Sequence, residues 1–227
     1  MTLRVVEVYA SYQGEGPNTS RPTVFVRFAG CNFKCPGWPC DTQHAIQPEQ
    51  FKKLQTHQTP EDLVAWVDSF NIKNVCLTGG EVYLQNKKDL VSFVNKLSRG
   101  HNVEVFTNGS LTWHDTVSDV ACFILDWKLS GSGEKYDMFG DTFFSNVNTL
   151  NEGDAVKFTI ADRKDYEEAV RRYNAYSFLE KVPVYAGVVW GKLETEELCK
   201  WMLEDNLPWN LNVQVHKFVW HPDKQGV

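Results

Sequence analysis

No stretch of the sequence is apolar over anything near the roughly 20 residues that a membrane span needs, so no membrane partner is expected. Excess positive charge is missing too: 23 Lys and Arg against 29 Asp and Glu leave a formal net charge of −6. That balance gives no global field for a nucleic-acid backbone, and a small molecule is the better substrate class. Met1-Thr2-Leu3-Arg4 runs directly into a strand pattern with no apolar leader, which points to a cytoplasmic protein whose thiols stay reduced. Nor does a Pro/Ser-rich linker or a block of like charge divide the chain; residues 1–227 are expected to form one domain around one core. What is present is ordinary globular composition, 42% hydrophobic and 23% charged, with one surplus. The 8 Trp and 14 Phe exceed what one core needs, leaving aromatics to line a flat heterocycle pocket or a subunit interface.

The 6 cysteines divide into two sets. Cys76, Cys122 and Cys199 each lie inside an apolar segment, where a thiol is a small buried hydrophobe. Cys31, Cys35 and Cys40 share one loop, 31–40, that follows the apolar run Val24-Phe25-Val26. A loop leaving a strand end can turn its thiolates toward one point, whereas a strand would alternate them between faces. Structural zinc takes four protein ligands, and His44 is at hand as a fourth; a 4Fe–4S cluster held by three thiolates leaves one iron open to a substrate or cofactor. The spacing alone suits either metal.

Strand patterns at 5–9, 23–29, 74–77, 103–107, 121–125, 155–160, 182–189 and 211–215 alternate with helices. One helix opens on Thr59 as N-cap with Pro60 in the first position; others run from 90 to 97, from near Asp162, and from 194 to 204. The rhythm predicts an α/β fold, a partial (open) parallel β/α barrel of about six β/α units, short of the eight needed for closure. Ligands of such sheets sit at the carboxyl ends of the strands.

The phrase Cys40-Asp41-Thr42, with Ser11-Tyr12-Gln13-Gly14-Glu15-Gly16 upstream and the cysteine loop, resembles the 7-carboxy-7-deazaguanine synthases of the radical S-adenosylmethionine superfamily. The likeness extends from residue 5 to residue 220. That family's Cys-x-x-x-Cys-x-x-Cys is here expanded by two residues within Pro36-Gly37-Trp38-Pro39, turn-forming types that are expected to bulge outward. Thr78-Gly79-Gly80-Glu81 resembles the Gly-Gly-Glu-Pro motif with Val82 in place of proline. Phe106-Thr107-Asn108-Gly109 resembles Glu-Thr-Asn-Gly with Phe106 in the acid's place. Asp126-Trp127-Lys128 is similar to an Asp/Ser-Pro-Lys segment, and Gln214-Val215-His216-Lys217 to a C-terminal Gln-x-His-Lys.

The resemblance implies one radical S-adenosylmethionine domain in which Cys31, Cys35 and Cys40 hold a 4Fe–4S cluster and Thr42 binds Mg²⁺. It implies S-adenosylmethionine contacts from Gly80, Glu81, Asp126, Trp127 and Lys128. Substrate contacts are implied for Tyr12, Gln13, Gly14, Glu15, Arg27, Thr78, Gln214 and His216. Read without the resemblance, the Gln13-Gly14-Glu15 segment is an ordinary turn, Arg27 equally a salt-bridge partner, Thr42 a helix cap and Lys128 a solvated surface residue. The implied reaction converts 6-carboxy-5,6,7,8-tetrahydropterin to 7-carboxy-7-deazaguanine and ammonia, a carbon–nitrogen lyase step of 7-deazapurine biosynthesis, as in the queuosine and archaeosine pathways. A cofactor-derived radical would take hydrogen from C6, so no catalytic side chain is expected. A flavodoxin or ferredoxin reductant and a homodimer are further implications. Two other readings stay open: a glycyl-radical activase-type radical S-adenosylmethionine protein, and a zinc-binding module without catalysis.

Overall fold

A computed structural model describes residues 2–38, 40–113, 121–134, 140–221, 224 and 226. Its strands are β1 (Leu3–Tyr12), β2 (Pro22–Phe28), β3 (Thr56–Gln58), β4 (Asn74–Gly79), β5 (Asn102–Thr107), β6 (Ala121–Asp126), β7 (Ala155–Ile160), β8 (Val184–Val188) and β9 (Asn210–Leu211). They form one sheet in the order β3-β1-β2-β4-β5-β6-β7-β8-β9, and β3 and β9 remain its two edges. Every pairing from β2 to β9 is parallel. The open parallel barrel expected from the β/α rhythm is therefore present, with an antiparallel addition: β1 pairs antiparallel with both β2 and β3. The reason is length, since the connection 13–21 is too short for the crossover that a parallel pair requires.

Helices cover the outer face. α3 (Pro60–Asp68) starts where Thr59 Oγ1 accepts the Asp62 N–H at 3.2 Å, as the Thr-Pro signature predicts. α4 (Lys87–Leu97) begins earlier than expected because Asn86 Oδ1 accepts the Asp89 N–H. It buries Leu90, Phe93, Val94 and Leu97, the i, i+3, i+4, i+7 stripe of a core-facing helix; Phe93 meets Phe28 of β2 edge-on at 6.4 Å. α6 (Arg163–Ala175) is capped by Asp162, and α7 (Thr195–Glu204) follows β8. Four short helices were not legible as such: α1 (Gln43–Ile46), α2 (Pro48–Leu54), α5 (Asp141–Val147) and α8 (His216–Val219).

The expected last strand, 211–215, is shorter than its pattern. Asn212 N–H still donates to Ala186 O at 2.7 Å, but Val215 N–H donates to Gly14 O at 3.1 Å. The chain thus leaves the sheet and crosses toward the loop after β1, and α8 lies over the mouth of the barrel. None of the helices among the described residues is long and apolar enough to cross a membrane.

Most of the aromatic surplus is packing. Trp127, 1% exposed, is surrounded by Phe143 at 5.0 Å, Tyr176 at 5.3 Å, Phe158 at 5.9 Å and Phe178 at 6.0 Å. The Arg172 guanidinium lies 4.8 Å from its ring centroid.

Candidate active site

The inner face of the sheet encloses a cavity of about 630 Å³ at the carboxyl ends of the strands. Its wall is polar where the outer face is apolar, because residues two apart on a strand share a face. Tyr9 of β1, Phe25 and Arg27 of β2, Cys76 and Thr78 of β4, Phe106 of β5, Asp126 of β6, and Lys157 and Thr159 of β7 all line it. Register makes neighbours of them: Phe25 pairs with Cys76, Arg27 with Thr78, and Asp126 with Lys157.

Cys31, Cys35 and Cys40 line one wall of this cavity. The loop that carries them is tied to the segment after β6. Glu134 accepts the N–H groups of Lys34 at 2.6 Å and Cys35 at 2.5 Å, and Gly37 N–H donates to Ser132 O at 2.9 Å. Of the expansion between Cys35 and Cys40, Pro36 and Gly37 are exposed as an outward bulge requires, Trp38 turns inward, and Pro39 lies outside the described residues. Trp38 is 7% exposed and lines the cavity, and Gly37 lies so close to Gly131 O that a Cβ would sit 1.9 Å from it. Burial pushes the Cys31 thiol up to about 12 and the Cys35 thiol up to about 11, so both are protonated until a metal displaces the proton. Among the described residues no three His, Cys, Asp or Glu side chains form a metal-holding group. The donor set fits three-thiolate ligation. His44, the available fourth ligand for zinc, instead has Nε2 3.1 Å from Glu7 Oε1.

Arg27 is held from three sides. Nε donates to Glu7 Oε1 at 2.6 Å, Nη2 to the Tyr9 hydroxyl at 2.8 Å, and Nη1 makes a long 3.4 Å contact with Thr42 Oγ1. The salt bridge that sequence left open is therefore present, with Glu7 as its partner. Thr42 occupies the N-cap position of α1 without a capping bond from its side chain, so its hydroxyl stays on the cavity wall. A hard oxygen of that kind fits the few-protein-ligand habit of Mg²⁺. Gln13 is 3% exposed and donates its amide to Glu104 Oε1; Asn18 Nδ2 donates to Glu104 Oε2 at 2.8 Å. Gly14 is required by packing, since a Cβ there would sit 2.0 Å from His216 Nδ1. Tyr12, 52% exposed, stands at the rim.

A chain of alternating charge crosses the cavity. Lys128 Nζ donates to Asp126 Oδ2 at 2.8 Å, Lys157 Nζ lies 3.7 Å from the same oxygen, and Lys157 donates to Glu15 Oε2 at 2.8 Å. Asn212 Nδ2 and Gln214 Nε2 both donate to Glu15 Oε1 at 3.1 Å. Burial disfavours charge on Glu15 and Asp126, but the facing ammonium groups outweigh it and hold both carboxyls below the ordinary range. Depressed carboxyls add stability that is fully present above the unfolded-state pKa of about 4 and is lost as pH falls through the folded values. Glu81 and Glu104 act oppositely, because burial raises them. The loss of urea stability between about pH 5 and pH 2 is therefore expected to be smaller in Glu15→Gln than in the unchanged protein. An equal or steeper loss would show that the Glu15–Lys157 pair carries no such linkage.

On the opposite side, Gly80 lines the cavity with its backbone against the cysteine loop: a Cβ would lie 1.8 Å from Gly30 O. Two of the residues expected on this side, Glu81 and Trp127, do not line the cavity. Glu81, 1% exposed, is turned away from the cavity and accepts from Thr107 Oγ1 at 2.8 Å, Asn108 N–H at 2.8 Å and Tyr83 N–H at 3.1 Å. Its carboxylate fastens the loops after β4 and β5 rather than standing free for a ligand ammonium. The Trp127 indole is in the aromatic core described above, and only its two neighbours, Asp126 and Lys128, reach the cavity.

Comparison with known proteins matches residues 12–126 to the 4Fe-4S single cluster domain family. The "7-carboxy-7-deazaguanine synthase" of Clostridium acetobutylicum is 33% identical over 100% of both chains. The enzyme of that name from Chlorobaculum tepidum is 32% identical over 99% of this chain and 97% of its own. The chain belongs to the 7-carboxy-7-deazaguanine synthase family. In fold it is similar to the crystal structure of QueE from Escherichia coli, with a TM-score of 0.73 and 18% identity over 94% of each chain. It is thus a radical S-adenosylmethionine enzyme with an iron–sulfur cluster domain.

Within this 7-carboxy-7-deazaguanine synthase fold, the residues singled out from sequence largely share one cavity: Tyr12, Gln13, Gly14, Glu15, Arg27, Cys31, Cys35, Cys40, Thr42, Thr78, Gly80, Asp126, Lys128, Gln214 and His216. Sequence reading missed Glu7, Tyr9, Glu104, Lys157 and Lys217. Lys217, 8% exposed, lies 3.3 Å from Asp41 Oδ1 and 5.0 Å from the Trp190 ring centroid. The available signal was a lone charge in an apolar strand, as in Val156-Lys157-Phe158 or Val103-Glu104-Val105.

Proposed function

We propose that this enzyme converts 6-carboxy-5,6,7,8-tetrahydropterin to 7-carboxy-7-deazaguanine with loss of ammonia. The observation that carries the reading is that three loop thiols and the Gln13, Glu15 and Arg27 side chains line one cavity. Cys31, Cys35 and Cys40 hold the 4Fe–4S cluster, and Gly80, Asp126 and Lys128 border S-adenosylmethionine. When bound, these cofactors supply the one-electron chemistry that removes a hydrogen atom from substrate C6, fed by an external flavodoxin- or ferredoxin-type donor. The chain's own residues bind and orient. Arg27, fixed by Glu7 and Tyr9, presents its guanidinium to the substrate carboxylate. Glu15, fixed by Lys157, Asn212 and Gln214, accepts from ring N–H groups. The Thr42 hydroxyl is the protein ligand of Mg²⁺ beside the substrate. The 212–217 segment, bonded to Gly14 and Asp41, narrows the mouth and keeps bulk water from the reacting carbon.

The test is anaerobic reconstitution with iron and sulfide, then product analysis with carboxytetrahydropterin, S-adenosylmethionine and a reductant. A brown protein with about four irons that forms 7-carboxy-7-deazaguanine supports the reading. Deoxyadenosine without the deazaguanine would transfer support to a glycyl-radical activase, and a colourless protein with one zinc would transfer it to a binding module.

A further inference from the structure

Lys157 is expensive where it stands. It occupies the middle of β7, between Val156 and Phe158, which are both 0% exposed, and its own side chain is 10% exposed. Enclosing an ammonium there brings a desolvation penalty, which the facing Glu15 and Asp126 carboxylates outweigh, so the lysine stays charged. Its partners identify what the charge does. Glu15 comes from the loop after β1 and Asp126 from the end of β6, and Lys157 stands between them at 2.8 Å and 3.7 Å. Asp126 is shared with Lys128, and Glu15 with Asn212 and Gln214. Lys157 thus joins two networks that come from opposite parts of the sequence. It lies beyond the 12–126 segment that matches the cluster-domain family.

We propose that Lys157 is a positioning residue that fixes Glu15 and Asp126 relative to each other and makes the two ends of the cavity share one charge. The assignment of pterin to the Glu15 end and S-adenosylmethionine to the Asp126 end rests on the function proposed above. A ligand that engages Asp126 changes how much of the ammonium's charge Glu15 receives, so binding at one end alters affinity at the other. Thermodynamic linkage makes the effect reciprocal.

The experiment uses cluster-loaded protein. The dissociation constant of S-adenosylmethionine is measured with and without carboxytetrahydropterin in the unchanged protein and in Lys157→Met, Lys157→Arg, Glu15→Gln and the Glu15→Gln/Lys157→Met double variant. Thermal melts check that each variant is folded. In the unchanged protein the pterin is expected to tighten S-adenosylmethionine by about 5-fold or more. Lys157→Met is expected to reduce that factor to about 1 and to raise the pterin KM by about 10-fold, with Lys157→Arg restoring most of both. In the Glu15→Gln background the Lys157 substitution should add little to KM, because it acts through Glu15. Full coupling retained in Lys157→Met, or KM effects that multiply in the double variant, would overturn the proposal. If the unchanged protein binds S-adenosylmethionine but not the pterin, the substrate reading fails separately. Lys157 is then judged by S-adenosylmethionine affinity alone, where loss in Met with rescue by Arg supports it and unchanged affinity overturns it. Should Lys157→Met not fold, the comparison of Lys157→Arg with Glu15→Gln decides: coupling kept in the first and lost in the second supports the proposal, and the reverse overturns it.

Discussion

Replacing Cys40 with Ala is expected to abolish cluster retention: reconstituted iron falls from about four per chain to below about one, and the brown chromophore is lost. S-adenosylmethionine cleavage should fall at least about 10³-fold with it, since the cluster carries the hard chemistry. Cys199→Ala, in α7 and away from the cavity, should retain iron and colour. The Cys40 substitution is the sharpest test available, because this thiol follows the expanded part of the loop. Trp38 is folded inward, Gly37 is bonded to Ser132, and Cys40 still reaches the cavity wall. Iron retained in the Cys40 variant would mean that another side chain completes the ligand set.

Trp127→Ala should lose about 3–5 kcal/mol of folding stability, the usual cost of emptying a large aromatic site in a core. Its ring has four aromatic neighbours and the Arg172 guanidinium, and the space it leaves cannot be refilled by any one of them. Urea denaturation measures the loss. Trp127→Phe should recover much of it and keep S-adenosylmethionine affinity within about twofold, as expected of an indole that packs rather than binds. If the Phe variant folds normally yet binds S-adenosylmethionine tenfold more weakly, the side chain contacts the cofactor after all.

The alternation of strands and helices was legible because each carries its own period, and Thr59-Pro60 and Asp162 announced their helices through local capping. The antiparallel start was legible only through the length of 13–21, a constraint on topology that no pattern of side chains states. Motif residues such as Gln13, Glu15, Gly80 and Asp126 could be found because the segments that carry them resemble the family's; read alone, Gln13-Gly14-Glu15 is an ordinary turn. Glu7, Glu104 and Lys157 were missed because their signal, a charge alternating with apolar residues, equally reads as a strand facing water. In a partial barrel the same alternation faces the lumen, and only the curvature of the sheet distinguishes the two. Glu81 and Trp127 are placed off the cavity wall for the converse reason: a motif position fixes where the backbone runs, while tertiary packing decides which way the side chain turns. Here Thr107 and Asn108 hold one, and the aromatic cluster encloses the other.

The bonds that orient Glu15 have a kinetic consequence. Asn212 and Gln214 are 197 and 199 positions from it along the chain. Contacts of such long range close the largest loops available and form late in folding, after local hairpins and β/α units have collapsed. Refolding chains should therefore regain compactness and aromatic packing ahead of ligand affinity, with the pocket's polar lining the slowest part to mature.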